Sequence, residues 1–367
     1  MTHTVQSKET LYSIAKKYGL TVEQIISLNN LVSTNLNIGQ NLIVSLPSPI
    51  TPNKPVTTVK SIYEKRNIFL VEKLPKVGYN TFTISYPTPA GVQKTGIFRD
   101  NYPSPNRVNS NGVSYAGKNA FETNTSYFQD LCPQPFYLEV LHHIAKNEGC
   151  FDAVNSYDKA IFSFGFLQFT GAQASGSILS QVLYRFKQRD EYAFNDCFGQ
   201  YGMDIIAGAK PVFRVETTKG ILENDAAYME VANNLSLTGA FIASSYRRSM
   251  VRAQVELALE EYVMKAVAPT VKVNVNGVLI ALNEILKTEG GFAIRIDLAV
   301  NRGLTGSLAP IQAAITQVAK ESKLSTSMQL AKINERRVVE VLAQNEPDAL
   351  KKQRILKLLD GSFSFWK

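Results

Sequence analysis

The chain has 367 residues, 45% hydrophobic and 19% charged, which suits a large conventional core divided over two or three domains. Its net charge of +8 favours anionic partners such as wall polymers. The odd set of three cysteines argues against a disulfide framework, and no stretch reaches the roughly 18 apolar residues of a membrane span.

The first residues, Met1 to Val5, show neither the basic nor the apolar region of a secretory signal. If a chain starting this way acts outside the cell, it is expected to leave by lysis or through a secretion or injection apparatus, or else its start has been trimmed.

Residues 3–46 read as strand, helix, helix, strand. Thr4 to Gln6 form a short strand. Leu11, Ile14, Ala15 and Tyr18 fall on one helical face, and Gly19 stands where a helix C′ residue belongs. Thr21 and Gln24 make a capping-box pattern opening a second helix, with Val22, Ile25 and Ile26 as its apolar face. Leu42 to Val44 form the returning strand. The run His3 to Ala15, then Asn29 to Leu31, then Leu36 to Val44 resembles a LysM domain. The resemblance implies binding to N-acetylglucosamine (GlcNAc) in peptidoglycan or chitin, between the loop after the first strand and the loop before the last. Glu9, Thr10 and Leu11 on one side and Asn37, Ile38 and Gly39 on the other are the implied contacts. Where the family usually carries Gly-Asp, this chain has Lys8-Glu9.

Residues 47–60 hold four prolines after Leu46 and read as a semi-extended linker. Residues 61–125 are β-biased, with strands expected at 67–71 and 81–86 and a loop near 106–117. Residues 126–367 are expected to form one mainly helical domain. Helical patterns occur near 134–148, 178–186, 223–233, 240–266, 276–287, 291–302, 308–322, 325–344 and 348–359. The expected fold class is α+β, predominantly α.

A second signal runs from Leu141 to Thr170. Hydrolysis of a glycosidic bond needs one carboxylic acid to protonate the leaving oxygen and, usually, a second carboxylate as base or nucleophile. Glu148 closes an amphipathic helix, with Phe151 and Phe162 near it in sequence as apolar neighbours that would raise its pKa. Asp158 follows ten residues on, in a polar loop. Gly165 permits close backbone approach, and Gln168 is a candidate sugar partner. This pattern resembles the lysozyme superfamily: goose-type lysozymes and lytic transglycosylases in the Glu and the Gly-x-x-Gln run, chitosanases around Asp158. The resemblance implies Glu148 as acid and Asp158 as base, with Asp152, Tyr157, Gly165 and Gln168 at the substrate. The apolar helix around Arg295 and Asp297 is similar to a buried helix of chitosanases, and its charges should be paired; an Arg295–Asp297 ion pair is expected.

His142 and His143 are adjacent and make a poor metal pair, and no HExxH or CxxC occurs, so no metal or other cofactor is expected. No P-loop, dinucleotide fingerprint or nucleic-acid motif is present. The combined expectation is a peptidoglycan-binding hydrolase of β-1,4 bonds. The rivals are a chitosanase or chitinase and a non-catalytic LysM adaptor or effector of a phage-tail-like or secretion apparatus.

Overall fold

The computed structural model describes residues 2–29, 31, 35–44, 69–88, 91–95, 98–132, 134–172, 177–360 and 363–365. The proline-rich stretch expected as a linker, 47–60, lies outside the described residues. The chain is mixed, about 49% helical and 18% strand, and divides into two compact units. One comprises Met1–Phe128 and Glu148–Gln254; the other comprises Gln129–Asn147 and Val255–Lys367. Three boundaries between these units, at 128/129, 147/148 and 254/255, fall within the stretch 126–367 that was expected as a single domain.

Within the first unit, the N-terminal module is the expected β-α-α-β. β1 (Thr2–Thr4) pairs antiparallel with β2 (Asn41–Ile43), and α1 (Leu11–Tyr18) and α2 (Val22–Asn29) lie between them in sequence. Leu11, Ile14, Ala15, Ile25, Ile26, Leu42 and Val44 form one buried cluster, the apolar faces read from the sequence. α1 starts with a reciprocal cap between Thr10 and Ser13 and ends at Gly19 with φ 66°, where only glycine is free of a Cβ penalty. The Thr21–Gln24 box is present: the Thr21 amide donates to Gln24 Oε1 at 2.8 Å and the Gln24 amide to Thr21 Oγ1 at 3.1 Å. Asn29 pins the end of α2 to β2, accepting from the Ile43 amide at 2.6 Å and donating to the Ile43 carbonyl at 2.9 Å.

The remainder of this unit is built on an eight-stranded antiparallel sheet. Its strands are β3 (Leu70–Lys76), β4 (Tyr79–Thr88), β5 (Gly91–Lys94), β6 (Phe98–Arg99), β7 (Ser114–Tyr115), β8 (Val154–Asn155), β9 (Ser163–Phe164) and β10 (Phe169–Thr170). They run in the order β10-β9-β8-β7-β6-β4-β3, with β5 also on β4. Among the described residues of 61–125, strands β3 to β7 fall between Leu70 and Tyr115. Ser114 pairs with Asn155 and Tyr115 with Val154, so these strands continue into the hairpins after Glu148.

Two helices near the N-terminal half of 178–244 carry much of the core. α4 (Ile178–Arg189) buries Leu179, Val182, Leu183 and Phe186. After α5 (Glu191–Cys197) comes a three-stranded sheet, β11 (Met203–Ile206), β12 (Val212–Thr217) and β13 (Gly220–Glu223), which the sequence reading did not assign. β12 alternates half-buried and buried residues over six positions, with Phe213, Val215 and Thr217 facing inward. α6 (Asp225–Asn233) and α7 (Leu235–Ser244) follow. Gly239 on α7 meets the Phe69 ring and Ile84, where a Cβ would stand 2.9 Å and 3.2 Å away; the missing side chain lets the helix reach the sheet. Phe241, also on α7, contacts the rings of Phe162, Phe164 and Phe198 at centroid distances of 4.8, 5.4 and 4.9 Å.

α3 (Pro135–Glu148) belongs to the second unit up to Asn147, and α8 (Arg248–Ala258) crosses from the first unit into the second after Gln254. The second unit then holds α9 (Glu289–Gly306), α10 (Leu308–Glu321), α11 (Glu335–Asn345) and α12 (Ala349–Leu359), with α9 packed on the other three. The helix expected over 276–287 is found only at Leu282–Ile285; residues 276–281 instead complete a hairpin of β14 (Lys272–Val275) and β15 (Val278–Ala281). Its turn is Asn276-Gly277, with φ 52° and 90°. Two positive-φ central residues define the hairpin turn that Asn-Gly favours, and this short-range signal outweighs the apolar periodicity. The pattern expected over 240–266 is interrupted between α7 and α8 and ends in a π-helical turn, Leu259–Met264.

Candidate functional site

β1 and β2 place two tight turns at one end of the N-terminal module. The Val5 amide donates to the Gln40 carbonyl at 2.9 Å and the Gly39 amide to the Val5 carbonyl at 2.8 Å. The segment leaving β1 and the segment entering β2 are therefore held side by side. The first turn closes where the Glu9 amide donates to the Gln6 carbonyl at 3.2 Å. The second closes where the Gln40 amide donates to the Asn37 carbonyl at 3.0 Å, with the Asn37 amide donating to Gln40 Oε1 at 3.0 Å. Gly39 has φ 86°, and Ile38 stands 72% exposed at the tip. Residues 3–45 match the LysM domain family.

They form a LysM domain.

No curated protein and no solved structure matches the chain. The LysM domain supports carbohydrate binding of the peptidoglycan or chitin type. Of the expected contacts, Asn37, Ile38 and Gly39 lie in the second turn, and Thr10 follows the first as the cap of α1. Leu11 does not offer its side chain; it is buried in the LysM core at 4% exposure, a correction to its expected role, because it opens the apolar face of α1. Glu9 is held inward. Its Oε2 lies 2.7 Å from His3 Nε2 and accepts the Gln6 amide at 2.7 Å. These contacts, the Gln6 amide first, hold its carboxyl below the usual carboxylate range. His3 Nδ1 meets the Tyr18 hydroxyl at 3.0 Å. The sequence reading missed His3 and Tyr18 as supports of this loop, since their contacts span distant positions.

The second candidate site centres on the end of α3. Glu148 is half-buried and closes the helix, and Gly149 follows with φ 145°. A Cβ on Gly149 would stand 2.8 Å from Ala153 Cβ, 3.4 Å from the Ala116 carbonyl and 3.9 Å from Gln168 Nε2. Gln168 is thus brought beside the residue after Glu148. Its own backbone has φ 52°, and its amide nitrogen donates to the Gly165 carbonyl at 3.0 Å.

The segment after Glu148 is fixed from two sides. Cys150 and Phe151 donate their amides to Ala116 and Asn119 carbonyls at 3.1 and 2.9 Å. Gln254 of α8 donates to the Phe151 carbonyl at 3.1 Å and accepts the Phe166 amide at 3.3 Å. Gly165, expected to admit a substrate, instead admits Gln254: a Cβ there would lie 2.2 Å from Gln254 Oε1. Gln254 was not singled out in the sequence, where a glutamine on a helix carries no positional signal.

Asp152 is corrected from a substrate contact to a buried brace. It is 0% exposed and accepts the Lys118 and Asn119 amides, each at 2.8 Å, and the Tyr115 hydroxyl at 3.3 Å. Burial pushes its carboxyl up despite these donors. Asp158 lies in the β8–β9 loop, where Oδ1 accepts the Ala160 amide at 2.9 Å and Oδ2 the Asn155 side chain at 3.3 Å. Its carboxylate organises its own turn. Tyr157 stacks on Tyr102 with centroids 4.7 Å apart, and its carbonyl accepts the Val108 and Asn109 amides at 2.8 and 3.0 Å. Phe151 and Phe162 give their rings to the core, Phe151 against Phe121 and Phe166, Phe162 against Tyr228 and Phe241.

In the second unit, Asp297 does meet an arginine, but the partner is Arg354, Nε to Oδ1 at 2.6 Å, with both side chains largely buried. Arg295 donates to the Ala266 carbonyl at 3.1 Å, the Leu304 carbonyl at 3.2 Å and Ser307 Oγ. Desolvation pulls its pKa down to about 10. Residues two apart on a helix point to different sides, so an Arg295–Asp297 pair could not form on α9. A cleft of about 240 Å³ nearby is lined by Leu298, Leu342, Pro347 and Ile355 with the Arg302–Glu346 ion pair. It is smaller than the roughly 300 Å³ at which ligand pockets begin. No group of His, Cys, Asp and Glu able to hold a metal occurs among the described residues.

Proposed function

We propose that the chain binds peptidoglycan through its LysM domain. The observation that carries this reading is the match over residues 3–45, joined to the turns Gln6–Glu9 and Asn37–Gln40 that Val5 and Gly39 hold side by side. A GlcNAc polymer laid across them would meet backbone amides, the Asn37 side chain and the exposed face of Ile38. Sedimentation of the full chain with purified sacculi and with chitin tests it. Retention on sacculi is expected, and Ile38→Asp should weaken it; release from both polymers overturns the reading.

A second reading, cleavage of β-1,4 glycosidic bonds, is favoured by one arrangement: Glu148, half-buried, closes a helix, and a Cβ on the next residue, Gly149, would stand 3.9 Å from Gln168 Nε2. In that reading Glu148 protonates the leaving oxygen. Asp158 serves as base once it releases the Ala160 amide. The LysM domain raises the local concentration of the polymer. A peptidoglycan zymogram of the wild-type chain beside Glu148→Gln tests this. Clearing only by wild type is expected. Equal clearing by both, or clearing by neither, overturns the hydrolase and leaves a wall-binding or adaptor protein.

A further inference from the structure

Lys8 occupies the third position of the turn Gln6–Glu9 with φ 69°, a left-handed conformation for which this turn position favours glycine or asparagine. A lysine held there is strained, and its Cβ is not needed for packing, since the residue is exposed. Backbone strain of this kind clusters at ligand-binding positions.

The charges around it are already matched. Glu9, the next residue, is taken by His3 and the Gln6 amide, with Lys17 Nζ 3.9 Å from its second oxygen. Among the described residues no carboxylate pairs with Lys8. The turn therefore presents one uncompensated ammonium group on a flexible stem, beside the turn carrying Asn37 and Ile38. A neutral chitin chain offers such a group nothing ionic. A GlcNAc polymer bearing carboxylates, as the stem peptides of peptidoglycan do, offers it a counter-charge at each repeat.

We propose that Lys8 is a specificity residue that selects carboxylate-bearing glycan over neutral GlcNAc polymer. This rests on the peptidoglycan-binding reading above and names the part of the polymer that the domain distinguishes.

The experiment measures binding of the full chain to soluble, uncrosslinked peptidoglycan strands and to the same strands after chemical amidation of their carboxylates, at low ionic strength. An exposed ion pair of this kind gives roughly a two- to five-fold preference for the acidic strands, and it shrinks as added salt screens it. Lys8→Arg keeps the preference. Lys8→Asn, which tolerates the left-handed backbone without the charge, brings the ratio of the two affinities to about one. A wild-type chain that binds both strands equally, or a Lys8→Asn chain that keeps the wild-type ratio, overturns the proposal while leaving glycan binding intact. Failure to bind either strand overturns both.

Discussion

His3 Nε2 lies 2.7 Å from Glu9 Oε2, and this contact joins the first strand of the LysM domain to the loop that leaves it. The same oxygen accepts the Gln6 amide. The contact gives the loop a fixed shape with few residues, and it makes part of the domain's stability depend on the ionisation of Glu9.

Glu9 has its pKa lowered in the folded chain by the Gln6 amide first and His3 next. The unfolded carboxyl binds protons more readily, so the stabilisation is complete above the ordinary value of 4.5 and disappears as pH falls through the lower folded value. Urea titrations followed by amide exchange in residues 2–44 should show the LysM domain weaker at pH 3 than at pH 6. Glu9→Gln should show a smaller difference between the two. An unchanged difference in the variant would remove Glu9 as the cause.

Lys8→Gly relieves the positive φ at the turn. Left-handed backbone costs a non-glycine residue roughly 1–2 kcal/mol, offset in part by the greater freedom of glycine in the unfolded chain. The LysM transition should gain about 0.5–1 kcal/mol. A loss of stability on substitution would mean that the lysine stem packs in a way its exposure conceals.

Gly165→Ala should be severe. It places a methyl group 2.2 Å from Gln254 Oε1 at a residue with φ 89°, combining overpacking with backbone strain at a cost of roughly 2–5 kcal/mol. Pairing it with Gln254→Ala should recover the steric share and not the backbone share. Thermal melts of the two variants read this directly, and a stable Gly165→Ala alone would show that the turn has room.

Asp297 and Arg354 should couple in a double-mutant cycle by roughly 1–3 kcal/mol, whereas Asp297 and Arg295 should be additive within about 0.5 kcal/mol. Asp297→Asn alone should cost roughly 3–5 kcal/mol, because it leaves a buried guanidinium without its counter-charge. Equal coupling to both arginines would contradict the geometry of α9.

The LysM domain was readable because each of its signals is local: two apolar helical faces, Gly19 at a helix end, the Thr21–Gln24 cap. The arginine partner of Asp297 was not, since Arg354 stands 57 positions away and only tertiary packing brings it near. The same limit applies to Gln254, whose contacts at Phe151 and Phe166 cross 103 and 88 positions. Around Glu148 the sequence marked the helix end and the Gly165–Gln168 turn. It did not reveal that Asp152 would be enclosed or that the Asp158 oxygens would serve their own loop. The hairpin at Asn276-Gly277 was readable and was overridden by a helical pattern that the turn interrupts.

The division of the chain has a consequence for its synthesis. Residues 129–147 belong with 255–367, but the ribosome makes 107 residues of the other unit, 148–254, between them. The apolar side of α3, with Tyr137, Val140, Leu141 and Ile144, emerges long before Phe292 and Phe363, against which Phe136 and His143 pack. Until translation finishes, that helix must wait without its partners. A chain ending at residue 254 would carry an unsatisfied sticky segment in its middle, not a clean loss of its tail.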